Sequence, residues 1–286
     1  MNTTKNTAID YCIWILLILS ILVSIFASVL VYDSYEFLVK SRVNEGLSDK
    51  PVNEVKLAKR EEVELVINRG DSYKKIINFL EKNNVLTSEE MNSYLEKKQM
   101  SIEGIVFEGS YSIPKPSSPE EVISILTYPY KEWVETEYTK YEEIDKSPIE
   151  IITIASMIEK EAAEDRERPV IAGVIYNRLN NNMKLQIDAT VLYALGEHKA
   201  RLSNEDLKVN SPYNTYIFYG LPPTPICTPG QKSIEAALNP DTHSYFYYVL
   251  TRYGGTSHSF SESYEEHLKN VEVYFSTIKP ANKSQG

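Results

Sequence analysis

From Ile154 to Gly173 the chain reads IASMIEKEAAEDRERPVIAG, and the side chain in it best placed to move a proton is Glu159. On a helix, residues three and four apart share a face. For Glu159 those neighbours are Ala155, Ser156, Ala162 and Ala163, all small, which leaves room for a bulky substrate to reach the carboxylate. Glu161 points about 200° away by the 3.6-residue repeat. Its neighbours Met157, Ile158, Glu164 and Asp165 make a mixed setting that reads as more solvated. If one carboxylate in this stretch does chemistry, the spacing selects Glu159. By spacing alone, Glu159 also fits an ordinary solvated helix position.

The other chemistry-bearing residue types offer less. His198, His243, His258 and His267 show no compact zinc spacing such as H-E-x-x-H, so no metal is expected. No P-loop or dinucleotide fingerprint is present, and no cofactor is expected. Cys12 and Cys227 are the only cysteines, so there is no disulfide framework. Cys227, in a Pro-rich loop, fits a bystander better than a nucleophile. The formal charge of −10 with scattered Lys and Arg argues against a nucleic-acid partner.

Several elements must position that glutamate. Residues 11–32, YCIWILLILSILVSIFASVLVY, carry no charge and are long enough for a transmembrane helix, with Tyr11, Trp14 and Tyr32 near its ends. The run exceeds the short apolar core of a cleaved signal peptide and lacks an A-x-A-like site, which favours an uncleaved anchor. Residues 1–10 then form a cytoplasmic tail, 33–60 a polar stalk, and the remainder lies outside the membrane. A short strand at Val63–Ile67 leads through a turn at 69–72 to two helices, the second opening on a Thr87/Glu90 capping box. Residues 61–128 are thus a small module with its connector, and Pro114–Pro119 interrupts regular structure. A helix over 119–126 gives way to a charged, tyrosine-rich connection over 127–147.

The main domain, 129–280, opens with a helix over Pro148–Glu164. A second begins at Pro169, and a third runs from Asp188 to Leu195 and stops at Gly196. Ser203 and Asp206 form a further capping box, and 213–230 is a long loop rich in Pro and Gly. A hairpin follows, from Tyr245–Leu250 to the segment around His258–Phe260. Ser263 and Glu266 cap a last helix ending near Ile278. Helices followed by a hairpin make the fold α+β.

Six segments, IASMIEKEA (154–162), VIYNRL (174–179), LQIDATVLYALG (185–196), SPYNTYIFYGLPPTPICTPG (211–230), AALNP (236–240) and GGTSHSF…H (254–267), resemble in order and spacing the endolytic murein transglycosylases, the MltG or YceG-like family. The small module is similar to that family's LysM-like subdomain. Ile102–Ile113 resembles its Glu-Gly-Tyr-Leu-Phe-Pro-Asp-Thr-Tyr segment but carries Glu108-Gly109 in place of Pro-Asp. The resemblance implies a membrane-anchored enzyme whose partner is peptidoglycan. It would cleave MurNAc–GlcNAc bonds within glycan strands without water, leaving 1,6-anhydroMurNAc ends, with Glu159 as general acid and base. It also implies a place at the cell (inner) membrane on the extracytoplasmic side, near peptidoglycan synthases, with a role in ending glycan elongation.

On the same basis Gln186 and Asp188 are expected at the substrate, although Asp188 equally fits a cap for the helix it begins. Tyr213, Asn214 and Thr215 match a signature loop. There Asn214 could meet substrate or the carboxylate, or hold its own loop together. Two other readings stay open: a hydrolytic muramidase with Asp188 or another acid as second carboxylate, and a silent glycan-binding scaffold.

Overall fold

The computed structural model describes residues 60–141, 143–197, 199 and 201–278. The expected tail, the apolar span over 11–32 and nearly all of the stalk lie outside the described residues. Among the described residues no helix is long and apolar enough to cross a membrane. From Arg60 onward the chain is one unit, with two hydrophobic cores.

The first core belongs to the small module. Strand β1 (Glu61–Ile67) pairs antiparallel with β2 (Gly109–Lys115), placing Leu65 opposite Tyr111 and Val63 opposite Ile113. Alternation along β1 buries Leu65 and Ile67 against Ile76, Leu80 and Met91 of helices α1 (Tyr73–Lys82) and α2 (Ser88–Lys98). The Thr87/Glu90 capping box forms as the sequence predicts. Ser72 stands at the N-cap of α1 but its side chain makes no capping bond. The carboxylate of Glu103, distant in sequence, accepts the Tyr73 N–H instead.

Strand β2 covers part of the Pro-interrupted stretch. Helix α3 (Pro119–Thr136) runs ten residues beyond its expected end, through Pro129. The extension is held by aromatic packing of Phe107, Tyr130 and Trp133, whose ring centroids lie 5.9–6.0 Å apart. Such packing outweighs the helix-breaking tendency of one proline.

The second core is built on helix α4 (Pro148–Glu161), whose residues Ile151 to Ile158 are all buried. Packed around it are α5 (Arg168–Asn180), α6 (Asp188–Leu195) and α7 (Gln231–Leu238). Helix α4 ends at Glu161, three residues short of the expected end, because Ala162 adopts an extended conformation with ψ 107°. Ala162 and Ala163 therefore do not continue the small-residue face around Glu159. The hairpin β3 (Tyr247–Leu250) and β4 (His258–Ser261) and helix α8 (Tyr264–Ser276) complete the fold, with Ser263 accepting the Glu266 N–H as expected. The fold is α+β.

The two cores are joined by backbone pairing. The Gly70 N–H donates to Thr228 O and the Thr228 N–H to Asp71 O, both at 2.7 Å, while Thr228 Oγ1 donates to Val106 O. Gly104, at φ +74°, packs so tightly on the 225–227 loop that a Cβ there would lie 2.2 Å from Pro225 Cβ. Gly104→Ala would combine backbone strain with this clash. The expected outcome is a loss of more than about 1 kcal/mol of stability, read from the midpoint of urea unfolding.

Candidate active site

Glu159 and Glu161, two residues apart at the end of α4, meet opposite environments. The Glu159 side chain is 7% exposed. Its Oε2 accepts the Gly230 N–H at 3.0 Å, the Ser233 hydroxyl at 2.7 Å and Arg168 Nη1 at 3.2 Å, and Oε1 lies 3.8 Å from Arg69 Nε. Gly230 is the N-cap of α7 and Ser233 its third residue, so this carboxylate sits where the helix dipole favours negative charge. Arg168, 3% exposed, also bonds Ser233 and Asp165, and Lys232 pairs with Asp165 in turn. Glu159 thus faces the protein interior, held by donors from three other parts of the fold.

Glu161 is half-buried and far less compensated. It accepts the Tyr248 hydroxyl at 3.2 Å and the Ala189 N–H. Burial pushes its carboxyl up to about 7, the Asp188 carboxylate adds to the shift, and the two hydrogen bonds only moderate it. As the last residue of α4, Glu161 also lies at the negative end of a helix dipole, which acts in the same sense. The solvated setting expected from its sequence neighbours is therefore not what the fold provides. Those neighbours assume a helix that continues, and α4 stops.

Asp188 is the first residue of α6, whose N-cap is Ile187, so it does not serve as the side-chain cap. Its carboxylate accepts the Tyr216 hydroxyl and faces Glu161. Tyr248 is backed edge-to-face by the His258 ring at 5.3 Å. His258 in turn is fixed by Glu167, which accepts its Nδ1 contact at 2.7 Å and its backbone N–H at 2.9 Å. His267 lies against Tyr247, 5.3 Å between ring centroids. Both histidines do packing work in the hairpin and last helix.

The remaining expected contacts divide. Gln186 is exposed at φ +50°, with its N–H bonded to Thr215 O, and stays open to a ligand. Asn214 is fully buried. Its amide donates to Leu207 O and Val209 O, and its oxygen accepts the Tyr216 N–H, so it holds its own loop. Buried Thr215 accepts the Ile187 N–H and pairs with Thr190 at 2.9 Å. Tyr213 bonds Thr224 at 2.6 Å and packs 4.7 Å from the Tyr193 ring. These three fix the loop that presents Tyr216 to Asp188. Sequence reasoning missed Tyr216, Tyr248 and Arg168, since nothing in local pattern marks a tyrosine as the partner of a distant carboxylate. Buried Cys227 has its thiol pushed up to about 12 by burial and donates to Ser156 O, which removes it as a nucleophile.

Fold and site together define an α+β protein in which a strand–helix–helix–strand module docks on a helical domain carrying a carboxyl of raised proton affinity. The profile of the YceG-like family matches residues 41–273, and the chain belongs to that family. It is 41% identical over 177 residues to a Bacillus subtilis protein named endolytic murein transglycosylase, covering 62% of this chain and 49% of that one. A Streptococcus pneumoniae protein of the same name is 33% identical over 175 residues, covering 59% of this chain and 32% of that one. The matches thus span about half or less of these relatives' length. A Listeria monocytogenes crystal structure described as yceG-like superposes with a TM-score of 0.61 at 33% identity, covering 72% of this chain and 75% of that one.

The two glutamates differ in what they contribute to stability. Folded Glu161 keeps a proton that the unfolded chain has lost between the usual carboxylate range and about pH 7. Its contribution therefore falls as pH rises through that window. Glu161→Gln should raise stability near pH 8 by about 1–3 kcal/mol and leave it unchanged near pH 4. Glu159→Gln should lower stability near pH 8 by about 1–2 kcal/mol, because buried Arg168 loses the buried one of its two carboxylate partners and keeps only half-exposed Asp165. Thermal melts of both variants at the two pH values check the opposite signs.

Proposed function

We propose that this protein is a peptidoglycan lytic endotransglycosylase and that Glu161, in place of the sequence-chosen Glu159, carries the proton. The observation that carries the residue choice is the contrast in environment. Burial pushes the Glu161 carboxyl up to about 7, with one hydroxyl and one N–H upon it, whereas Glu159 is occupied by Gly230, Ser233 and Arg168. A group titrating near the working pH can both give and take a proton. The reaction class rests on membership of the YceG-like family and on the relatives' names.

Protonated Glu161 gives its proton to the glycosidic oxygen as the bond from MurNAc C1 breaks. The MurNAc C6 hydroxyl closes on C1, and the Glu161 carboxylate takes the proton that this hydroxyl loses. The proton count returns to its start, no water enters, and a 1,6-anhydro end results. In this reading the Asp188 carboxylate tunes Glu161 and stabilises positive charge developing at C1. Exposed Gln186 contacts the sugar. The module binds glycan as a LysM-like unit, the apolar span over 11–32 anchors the chain with its domain on the extracytoplasmic side, and cutting nascent strands beside the synthases ends their elongation.

A hydrolytic reading has one observation in its favour, the second carboxylate of Asp188 beside Glu161. Mass spectrometry of products from purified glycan strands separates the two. Anhydro ends are expected from wild type and, at a reduced rate and below its melting temperature, from Glu159→Gln, and none from folded Glu161→Gln. Reducing ends would make the enzyme a hydrolase, and no cleavage by wild type would leave a glycan-binding scaffold.

The pH profile tests the acid directly. Activity that needs protonated Glu161 falls as pH rises through about 7. Asp188→Asn removes a charge that holds the proton on, so this alkaline limb should move down by about one unit. Tyr248→Phe removes a hydrogen bond to the carboxylate and should move it up.

A further inference from the structure

Helix α6 has a second role in the fold besides presenting Asp188. Its residues Ala189, Leu192 and Tyr193, three and four apart, form one face, and the C-cap Gly196 continues it. That face lines a cavity of about 580 Å³ whose opposite wall is the start of α1, at Ser72, Tyr73 and Lys74. Glu103 of the module, 6% exposed, lies between the two walls. It accepts the Tyr73 N–H and, at 3.2 Å, the Tyr193 hydroxyl, so one carboxylate ties both walls together. The cavity is therefore a product of docking the module on the main domain.

Its lining fits a particular chemistry. Leu192, Ile226 and the tyrosines offer apolar and aromatic faces. Around them stand two carboxylates, Glu103 and Glu197, and two ammonium groups, Lys74 and Lys160. Formal charges cancel, which disfavours a bare anion or cation and favours a neutral ligand with many hydroxyl and amide groups. The volume is within the range of small-ligand sites. The Ser72 hydroxyl makes no capping bond, and Lys74 is exposed. Both are available to sugar hydroxyl or N-acetyl groups. Ala189 completes the connection, since it lines the cavity and its N–H bonds Glu161.

We propose that this cavity is a saccharide subsite, holding an N-acetylhexosamine of the same strand that Glu161 cuts. The identity of the strand rests on the function proposed above. The subsite holds the chain on one side of the scissile bond, so that binding energy remote from the reacting atoms orients the sugar at Glu161. Glu103 accepts from a sugar hydroxyl with the lone pair left beside its tyrosine contacts, and Lys74 donates to a hydroxyl or acetyl oxygen.

The test is calorimetric binding of peptide-free MurNAc–GlcNAc oligomers, disaccharide against octasaccharide, to the full chain in detergent carrying Glu161→Gln. Glu103→Gln and Lys74→Ala are added singly. The octasaccharide should bind at least about tenfold more tightly than the disaccharide, and each added change should cut that advantage to about threefold or less. Lys74 is exposed, so its change keeps the test sound even if Glu103→Gln fails to fold. An advantage unaffected by Lys74→Ala and by any folded Glu103→Gln, or no octasaccharide binding at all, overturns the subsite. Product analysis with the otherwise wild-type chain is read separately. Strand cleavage with an unchanged length advantage leaves the function standing and removes the subsite. A length advantage that depends on Glu103 and Lys74, without cleavage, does the reverse.

Discussion

The buried cluster of Glu159, Arg168 and Ser233 is the contact on which the rest of the site depends. A carboxyl group with little solvent access is costly to bury unless its lone pairs are filled. Here Gly230 and Ser233 from the start of α7, Arg168 from the start of α5 and Arg69 from the module supply the partners. These four partners come from three separate stretches of chain. Satisfying this one group therefore sets the positions of two helix starts and of the turn that leads into α1. Gly230 has no side chain to intervene, since a Cβ there would come within 3.2 Å of Glu159 Oε2.

With that anchor two residues before the end of α4, Glu161 is delivered to a fixed place with few donors of its own. Its company is largely hydroxyl and carboxylate: Tyr248 from β3, Asp188 from α6 and, behind Asp188, Tyr216 from the long loop. The His258–Glu167 pair supports Tyr248 from the other strand of the hairpin. Such an arrangement costs stability at neutral pH and raises the proton affinity of the carboxyl into that range. The contrast between the two glutamates follows from donor count and burial, and both quantities are set by distant parts of the chain.

The same logic explains what the loop residues do. Asn214 and Thr215 resemble binding groups in type, yet their polar atoms are used up on Leu207, Val209, Ile187 and Thr190. A buried amide must be satisfied, and the nearest partners are its own loop carbonyls. What the loop then exposes is Tyr216 toward Asp188 and, further on, Phe218 and Tyr219 toward solvent.

The sequence by itself determined the α+β class, the capping boxes at Thr87 and at Ser203, the helix from Asp188 to Leu195 with its stop at Gly196, the hairpin and the family resemblance. These depend on local hydrogen bonds, on φ preferences such as that of Gly196 at +67°, and on short-range periodicity, all written within a few residues. The tertiary structure decided where α4 stops, how far α3 runs through Pro129, and which of two near-identical glutamates is compensated. Helical spacing places Glu159 and Glu161 on different faces but does not say what lies opposite each face. Arg168 and Ser233 lie nine and seventy-four positions from Glu159, and Tyr248 lies eighty-seven from Glu161. Only the packed chain brings those partners together, because a carboxyl's proton affinity is fixed by the solvent and charge around it and not by its neighbours in sequence.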